Sequence, residues 1–339
     1  MLNIDLDHHL AVQTKAVGAA GEIRDAVQRE LENGVKNIFF ASAGGVALLT
    51  YPAARLLQTR SGLPTYIERS TELIENGNAN LSPDSLVVFC SVSGTTKEAV
   101  QALNYVKAAG ARVLTFTGHQ GTPMADLADI NIPNAVADDT SSENYLIQTL
   151  LVALAVMEHR NELPGSYAQV VSELEKLPAA LVKAKQDFEP RAVELAAHLA
   201  AASKPVLLSS AGNAWYEAWY FGMCILEEMQ WIWTRPIHAL DFFHGTLELV
   251  EPGVDLLLLK GEDAGRTLAE RVEKFVPAQG GKLHVIDSLS FELPGISPQT
   301  RALVAPAVLA TVLERLAEHL AALRDHPLTV RRYYKKFDY

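Results

Sequence analysis

Four hydroxyl side chains and one glycine lie within six consecutive positions of the stretch SVSGTTKEA, which begins at Ser91. The stretch follows an apolar run, SLVVFC, and opens a helical pattern, KEAVQALNYVKAAG, so it is predicted to join a strand to a helix. A helix N-terminus offers free N–H groups and a partial positive charge, and the hydroxyls add donors. One Ser or Thr would suffice to cap the helix, so this density favours a phosphate site. The Walker pattern is not met, and no nucleoside triphosphate is implied.

A second group of candidates could transfer protons. Glu227 and Glu228 interrupt the apolar stretch CILEEMQWIW, and His244 stands between two phenylalanines and a glycine in LDFFHGTLELVEPG. A partly buried carboxyl group has a raised pKa and can act as a base near neutral pH. The alternatives are a solvated helix face for the glutamates and a packed structural role for the histidine.

Composition limits the classes of protein to consider. The chain has 339 residues, 49% of them hydrophobic and 20% charged, with a formal net charge of −11, which argues against non-specific nucleic-acid binding. The chain has two isolated cysteines and no signal-peptide pattern, and its longest apolar stretch is too short to cross a bilayer. These features predict a cytoplasmic location without membrane contact. No metal-binding spacing is present, so no metal or cofactor is expected.

The elements that must position these residues alternate between buried strands and helices. The first half contains four predicted strands, in VKNIFFASAGG, LPTYIER, SLVVFCSVSG and RVLTFTGHQG. Residues 141–203 are predicted to be helical. The second half contains three further predicted strands, in KPVLLSSAGNAW, VDLLLLKG and GKLHVIDS. This pattern predicts an α/β fold with mostly parallel sheets covered on both faces. The segments IFFASAGG and LLSSAGN share a pattern of apolar residues followed by Ser-Ala-Gly, and their serines, Ser42 and Ser210, are 168 residues apart. This similarity indicates an internal duplication.

The hydroxyl turn resembles the sugar-phosphate-binding turn of sugar isomerase (SIS) domains, S-x-S-G-x-T-x-E/D, and ARVLTFTG…TPMADLADINI resembles the segment that follows it. The resemblance covers both halves and implies two tandem SIS domains, each a three-layer αβα sandwich. It assigns phosphate or substrate binding to Ser91, Ser93 and Thr96, and to Gly44 of the first glycine turn. Val46 replaces a hydroxyl residue of that turn, which weakens the case for Ser42 as a ligand.

The second half is similar to fructosamine-6-phosphate deglycases and, more distantly, to the isomerase domain of glucosamine-6-phosphate synthase. In that family a catalytic Glu precedes the His of an HGP loop by sixteen residues, and Glu228 precedes His244 by the same number. Thr246 stands in place of the Pro, and Asp241 in place of a Glu. The resemblance also gives Ser141 and Glu143 substrate contacts, Glu143 being a candidate for reading the amino-acid half of the substrate.

The resemblance implies a hydrolase that converts a fructosamine 6-phosphate and water to glucose 6-phosphate and a free amino acid without a cofactor. An aldose–ketose isomerase or deaminase acting on an amino sugar phosphate is the alternative enzyme. A non-catalytic sugar-phosphate sensor is the alternative of another class, but residues 1–34 are too short and too acidic for a DNA-binding helix-turn-helix.

The predicted organisation is a first SIS domain at 15–160, a helical linker at 161–203, a second SIS domain at 204–325 and a C-terminal tail at 326–339. The family resemblance implies a homodimer or higher homo-oligomer with shared active sites, in which the loop carrying His244 completes the neighbouring site. The tail RRYYKKFDY carries four aromatic residues that predict docking. By the same resemblance, Lys335 or Lys336 is expected to reach the sugar.

Overall fold

The structure is a computed structural model that describes residues 1–134, 142–334 and 336. The chain divides into two compact units. The first unit comprises residues 6–179 and 294–300, and the second comprises residues 1–5, 180–293 and 301–339. The predicted linker is therefore not a separate layer: its helices are shared between the units, with the division at residues 179 and 180.

The first unit is built on a five-stranded parallel sheet of order β2-β1-β3-β4-β5. Its strands are β1 (Asn37–Ser42), β2 (Thr65–Arg69), β3 (Ser85–Ser91), β4 (Arg112–Thr117) and β5 (Ile130–Asn131). Its helices are α1 (Leu6–Gly18), α2 (Ala20–Glu32), α3 (Gly44–Arg60), α4 (Ser70–Asn76), α5 (Lys97–Ala108), α6 (Pro123–Leu127), α7 (Ser142–His159) and α8 (Tyr167–Leu174). Strand β3 is buried along its whole length because it lies at the centre of the sheet, so the hydroxyl turn that follows it leaves the middle of the core.

The second unit repeats this arrangement with a four-stranded parallel sheet of order β7-β6-β8-β9. Its strands are β6 (Val206–Ser210), β7 (Thr234–His238), β8 (Asp255–Lys260) and β9 (Lys282–Asp287). Between β6 and β7 lie α10 (Trp215–Tyr220) and a π-helix (Phe221–Met229), and α11 (Ala239–Phe242) and α12 (Arg266–Ala278) follow. Two long helices, α9 (Leu177–Ala200) and α13 (Pro298–Leu323), begin in the first unit and end in the second.

The same strand order in both units, second–first–third–fourth, agrees with the duplication inferred from the two glycine turns. The sequence analysis did not identify β7, whose sequence TRPIH lacks an apolar run and contains Pro236. Proline removes a hydrogen-bond donor from a strand and is tolerated at a sheet edge, which is where β7 lies. Among the described residues, no helix is both long enough and apolar enough to cross a bilayer.

A buried charge network holds the N-terminus of the chain against the helices of the second unit. Glu189 accepts hydrogen bonds from Arg315 Nε at 2.8 Å, from the amide of Leu2 at 3.0 Å and from His319 at 3.0 Å. Burial by itself would raise the pKa of Glu189, but these hydrogen bonds outweigh it and lower the pKa from its ordinary 4.5 to about 2. The Arg315 side chain is fully buried, and Glu189 is its close countercharge; the carboxylate of Glu314 lies farther away, 3.8 Å from Nη1, and is shared with Lys185.

We expect Glu189→Gln to lower the free energy of unfolding at pH 7 by about 3 kcal/mol, since removing one partner leaves a buried charge uncompensated. A carboxyl group with a lowered folded-state pKa stabilises the protein fully above its ordinary pKa, and this stabilisation is lost as pH falls from 4.5 towards 2. Urea unfolding between pH 7 and pH 3 should therefore show a shallower acid decline in the variant. Glu194→Gln, at an exposed position of the same helix, is the control, and equal acid declines in Glu189→Gln and wild type would contradict the assignment.

Candidate functional site

The hydroxyl turn of the first unit is folded around Gly94, whose φ of 63° is one that favours glycine. The Gly94 amide donates to the Ser91 hydroxyl at 3.0 Å, and the Gly94 carbonyl accepts from the amide of Met124 at 3.1 Å. A Cβ atom at this position would lie 2.2 Å from the Thr122 hydroxyl oxygen. The turn is thus fixed from both sides by its own strand and by the loop after β4, and it is preorganised before any ligand arrives.

The hydroxyl of Thr96, the residue immediately before α5, is not used to cap that helix. Ser93 accepts hydrogen bonds from the amide and the hydroxyl of Thr95 at 3.3 and 3.0 Å, so these side chains fold together above the helix N-terminus. Ser93 and Thr96 are half-buried and Thr95 is exposed. The capping interpretation required a hydrogen bond that the structure does not contain, which leaves anion binding as the better account of the turn.

The corresponding turn of the second unit, Gly261–Gly265 after β8, is filled by the chain's own carboxylate. Asp263 accepts from the amide of Asn213 at 2.7 Å and from the amide of Gly265 at 2.9 Å. Glu262 forms a two-point ion pair with Arg301 at 2.8 and 2.9 Å. An external anion would have to displace a tethered one, so this turn is a poorer candidate for phosphate binding than the hydroxyl turn of the first unit. The sequence of this turn, GEDAG, has acidic residues where the first unit has hydroxyls, and this difference could have indicated that the turn does not bind an anion.

The first glycine turn contributes differently from the hydroxyl turn. The Ser42 hydroxyl is buried and exchanges hydrogen bonds with the backbone of Cys90, accepting from its amide at 3.1 Å and donating to its carbonyl at 3.4 Å. It therefore ties β1 to β3 instead of facing a ligand, which agrees with the weakened case for Ser42. Gly44 is exposed at the start of α3 with a φ of 61°, and Val46 is half-buried.

Two predicted substrate contacts at the start of α7 receive little support from the structure. Ser141 lies outside the described residues. Glu143 is in the first turn of α7 and is fully buried. Its carboxylate is not presented to solvent in this conformation, so its predicted contact with the amino-acid half of a substrate stays a prediction.

The predicted catalytic helix is a π-helix, a widened form that is often found at functional sites. It packs closely on β7, since a Cβ atom at Gly222 would lie 2.7 Å from the ring of Pro236. The helix ends at Met229, and Trp231 beyond it has a φ of 55°. The apolar residues continue to Trp233, so the sequence gives no sign of where the helix stops.

The two neighbouring glutamates of the π-helix have different surroundings. Glu227 is exposed and accepts a short hydrogen bond from Thr234 at the start of β7. The side chain of Glu228 is 31% exposed, and its Oε1 accepts a hydrogen bond from Arg331 Nε at 2.7 Å. Only Glu228 thus combines partial burial with a cationic partner, and its geometry suits a positioned carboxylate better than that of Glu227.

His244 lies on an exposed loop between α11 and a short 3-10 turn at Thr246–Leu249. Its imidazole makes no hydrogen bond or ion pair with any residue that the structure describes, Glu228 included. Thr246 is buried and its hydroxyl accepts from Arg235 Nε at 3.1 Å. This hydrogen bond ties the loop to β7, so the residue that replaces the family's proline restrains the loop by another means. Asp241, the other departure, is exposed on α11.

The aromatic residues before His244 pack against the second unit's core. Phe242 is fully buried, and both it and Phe243 pack on Phe275 with ring centroids 5.8 and 5.7 Å apart. The exposed apolar side chains near the loop are instead Leu240 and Leu249, which are 42% and 52% exposed.

The C-terminal tail reaches the predicted site through a residue that sequence reasoning missed. Arg331 contacts Glu228, whereas Lys336 is exposed and donates to the carbonyl of Arg331, and Lys335 lies outside the described residues. Tyr333 and Tyr334 are 67% and 43% exposed, so they are not buried as the prediction of docking from the aromatics required.

Comparison with known proteins places these features in a family context. Residues 33–158 match the SIS domain model. The chain is 31% identical to the fructosamine deglycase FrlB of Bacillus subtilis over 90% of this chain and 93% of the relative, and 27% identical to the fructoselysine 6-phosphate deglycase of Escherichia coli over 92% and 89%. The crystal structure of a Bacillus subtilis protein described as a phosphosugar isomerase superposes with a TM-score of 0.88 at 29% identity, covering 96% and 99% of the two chains.

Proposed function

We propose, from the premise that this chain belongs to the SIS-domain family that includes the fructosamine deglycase FrlB, that it is a fructosamine-6-phosphate deglycase. The family and the α/β fold class predicted from the sequence are confirmed. The substrate class is an amino acid joined through its amine to C1 of fructose 6-phosphate. The products are glucose 6-phosphate and the free amino acid.

The observation that carries the proposal is the preorganised hydroxyl turn after β3. Its Thr96 does not cap α5, and its counterpart in the second unit is closed by Asp263. A turn rich in hydroxyls at the N-terminus of a helix suits a phosphate dianion, which distinguishes sugar phosphates from free sugars. Relatives whose names specify a deglycase then favour a fructosamine 6-phosphate over other sugar phosphates.

Glu228 and His244 divide the proton transfers of the proposed reaction. His244 donates to the ring oxygen and so opens the sugar ring. Glu228 then removes a proton from C1 while O2 takes up a proton, which gives an enaminol. The proton is returned at C2 while the nitrogen loses its own proton, so that C2=O becomes C2–OH and C1–N becomes C1=N. Water adds to C1 of the resulting Schiff base, and the C1–N bond breaks to release the amine. The C2 carbonyl of the opened substrate accepts the electrons left at C1, and the nitrogen lone pair then forms the C1=N bond, so the reaction requires no cofactor.

A screen of fructosamine 6-phosphates with coupled detection of glucose 6-phosphate tests the proposal. Each amino-acid conjugate is offered in phosphorylated and unphosphorylated form, and fructose 6-phosphate with ammonia is offered in parallel. Glucose 6-phosphate release from at least one phosphorylated conjugate is expected. Formation of glucosamine 6-phosphate instead would favour the isomerase or deaminase alternative, and the absence of any turnover would favour a sugar-phosphate sensor.

The proposed enzyme acts in the cytoplasm as a homodimer or higher homo-oligomer. Cys90 and Cys224 are both buried and neither is in a disulfide, which suits a reducing compartment. His244 is exposed without a partner among the described residues, next to the exposed Leu240 and Leu249. A second copy that covers these leucines would bring His244 to its own Glu228, in keeping with shared active sites.

Mixing inactive Glu228→Gln subunits with inactive His244→Ala subunits is therefore expected to restore activity. Random reassortment places one intact Glu228–His244 pair in each mixed dimer, so up to about a quarter of wild-type activity should return. Mixing two batches of Glu228→Gln is the control and should restore none. A fully active monomer in sedimentation velocity would contradict the shared site.

A further inference from the structure

The segment that follows α13 is fastened to the residues at the end of the π-helix. Gln230 Nε2 donates to the carbonyl of His326 at 2.7 Å, and Arg324 donates to the carbonyl of Gln230 at 3.2 Å. The ring of Trp231 contacts the imidazole of His326 at 4.2 Å between centroids and the guanidinium of Arg332 at 3.9 Å. Polar contacts and one indole ring therefore dock this segment.

Arg331 is oriented by this segment before it meets Glu228. Its Nη1 donates to the carbonyls of Leu328 and Val330, the latter at 3.1 Å, and a turn from Pro327 to Val330 closes with a 3.0 Å hydrogen bond. The Arg331 side chain is only 12% exposed. Its Nε is thereby left pointing at Oε1 of Glu228, 2.7 Å away.

This arrangement differs from an ordinary surface ion pair. Exposed pairs contribute little because two long flexible side chains must be ordered to form them. Here the cation is already held by backbone carbonyls, and the anion lies on a helix packed against β7. A guanidinium in this position favours the ionised form of a carboxylate and fixes its direction. Both effects bear on a group that must accept a proton from a particular carbon atom.

We propose that Arg331 is a positioning residue for Glu228, holding the carboxylate ionised and directed for proton transfer. The inference rests on the proposed role of Glu228 in the deglycase reaction. It assigns to the tail a function different from that predicted for Lys335 and Lys336, because Arg331 acts on the base and not on the sugar. The other charged or titratable groups on the elements around Glu228 are Glu227, Arg235, Arg324, His326 and Arg332.

Arg331→Gln and Arg331→Lys are compared with Arg332→Gln, which removes a neighbouring charge that rests on Trp231 instead of on Glu228. We expect Arg331→Gln to lower kcat about 10- to 100-fold with KM changed much less, because a misplaced catalytic group costs turnover. The low-pH limb of its kcat/KM profile should move to higher pH by roughly one unit, because an opposite charge has been removed. Arg331→Lys should restore part of both losses, and Arg332→Gln should leave kcat within about twofold of wild type.

An unchanged kcat and an unmoved low-pH limb in Arg331→Gln would overturn the proposal. A higher kcat would also overturn it, since Arg331 would then be an inhibitory latch. If Arg331→Gln and Arg332→Gln lost activity equally, the proposal would also be wrong, because both arginines would then serve only to hold the tail in place. Free energies of unfolding from urea titration accompany each variant, so that a loss of folding is separated from a loss of positioning.

A measurement that needs no turnover distinguishes failure of this inference from failure of the proposed function. Carbodiimides react with protonated carboxyl groups, and tandem mass spectrometry separates labelling of Glu228 from that of Glu227 beside it. In Arg331→Gln the pH of half-maximal labelling should rise for Glu228 and stay constant for Glu227. If labelling of Glu228 shifts in this way but the wild type turns over no fructosamine 6-phosphate, the proposed function is refuted and the effect of Arg331 on the Glu228 carboxylate is still supported. Constant labelling at both glutamates would refute the inference alone.

Discussion

Glu228→Gln is expected to lower kcat for a fructosamine 6-phosphate by about 10³-fold, within the range of 10²–10⁴ typical of a positioned acid or base. Glutamine has nearly the shape of glutamate, and its side-chain oxygen can still accept the hydrogen bond from Arg331. The amide cannot remove a proton from C1, so chemistry is lost while the fold and the phosphate turn are kept. Substrate binding, measured by calorimetry on the variant, should persist within a few-fold of the wild-type affinity.

Glu227→Gln is the matched control, one residue away on the same π-helix. Glu227 is exposed and its visible partner is Thr234, so its neutralisation should leave kcat within about twofold of wild type. If Glu227→Gln proved inactive and Glu228→Gln active, the assignment made from the sixteen-residue spacing would be wrong. Near-wild-type turnover in both variants would remove the carboxylate mechanism altogether.

The layers and the position of the hydroxyl turn were predictable because they follow from local patterns. Apolar runs such as SLVVFC form strands buried on both faces, and the turn chemistry at 91–96 depends on neighbouring residues. The strand order repeated in the two units agrees with a duplication read from seven or eight residues around Ser42 and Ser210. Each of these patterns involves only residues that are close together in the sequence.

The features that escaped prediction depend on partners distant in sequence or on backbone geometry. Arg331 and Glu228 are 103 residues apart, and nothing in RRYY distinguishes the arginine that meets the carboxylate from its neighbour. A π-helix has the same composition as an α-helix, so FGMCILEEM gave no sign of the widening. The sequence shows an acidic residue, Asp263, at the turn of the second unit. The hydrogen bond that Asp263 accepts from the amide of Asn213, 50 residues away, can be seen only in the folded structure.

The aromatic residues show how a correct general tendency can mislead. Phenylalanines are enriched both in interfaces and in cores, and Phe242 proved to be core. The tail aromatics predicted that the tail docks, and among the described residues contacts around Trp231 hold the segment. Composition identifies residues that need a partner, and only the fold determines which partner is near.

Replacing Ser93 and Thr96 together with alanine is expected to raise KM for the phosphorylated substrate about 100-fold or more. A hydrogen bond to a charged group contributes roughly 1.5–3 kcal/mol, and the double variant removes two of them. The predicted defect is confined to the phosphorylated substrate, because the role proposed for the hydroxyls is to bind the phosphate and not the sugar. Steady-state kinetics with phosphorylated and unphosphorylated fructosamines measure it directly.

A helix-capping variant elsewhere in the first unit separates this effect from a loss of stability. Ser166 caps α8 by accepting from the amide of Gln169 at 3.1 Å, so Ser166→Ala should lower the free energy of unfolding by about 1 kcal/mol and leave KM unchanged. Thr96→Ala should show the reverse, because Thr96 makes no capping hydrogen bond. If Thr96→Ala destabilises the protein as Ser166→Ala does and KM stays constant, the turn is only a helix cap. Equal turnover of unphosphorylated fructosamines by the wild type would lead to the same conclusion, since a site built for a dianion must distinguish the two substrates.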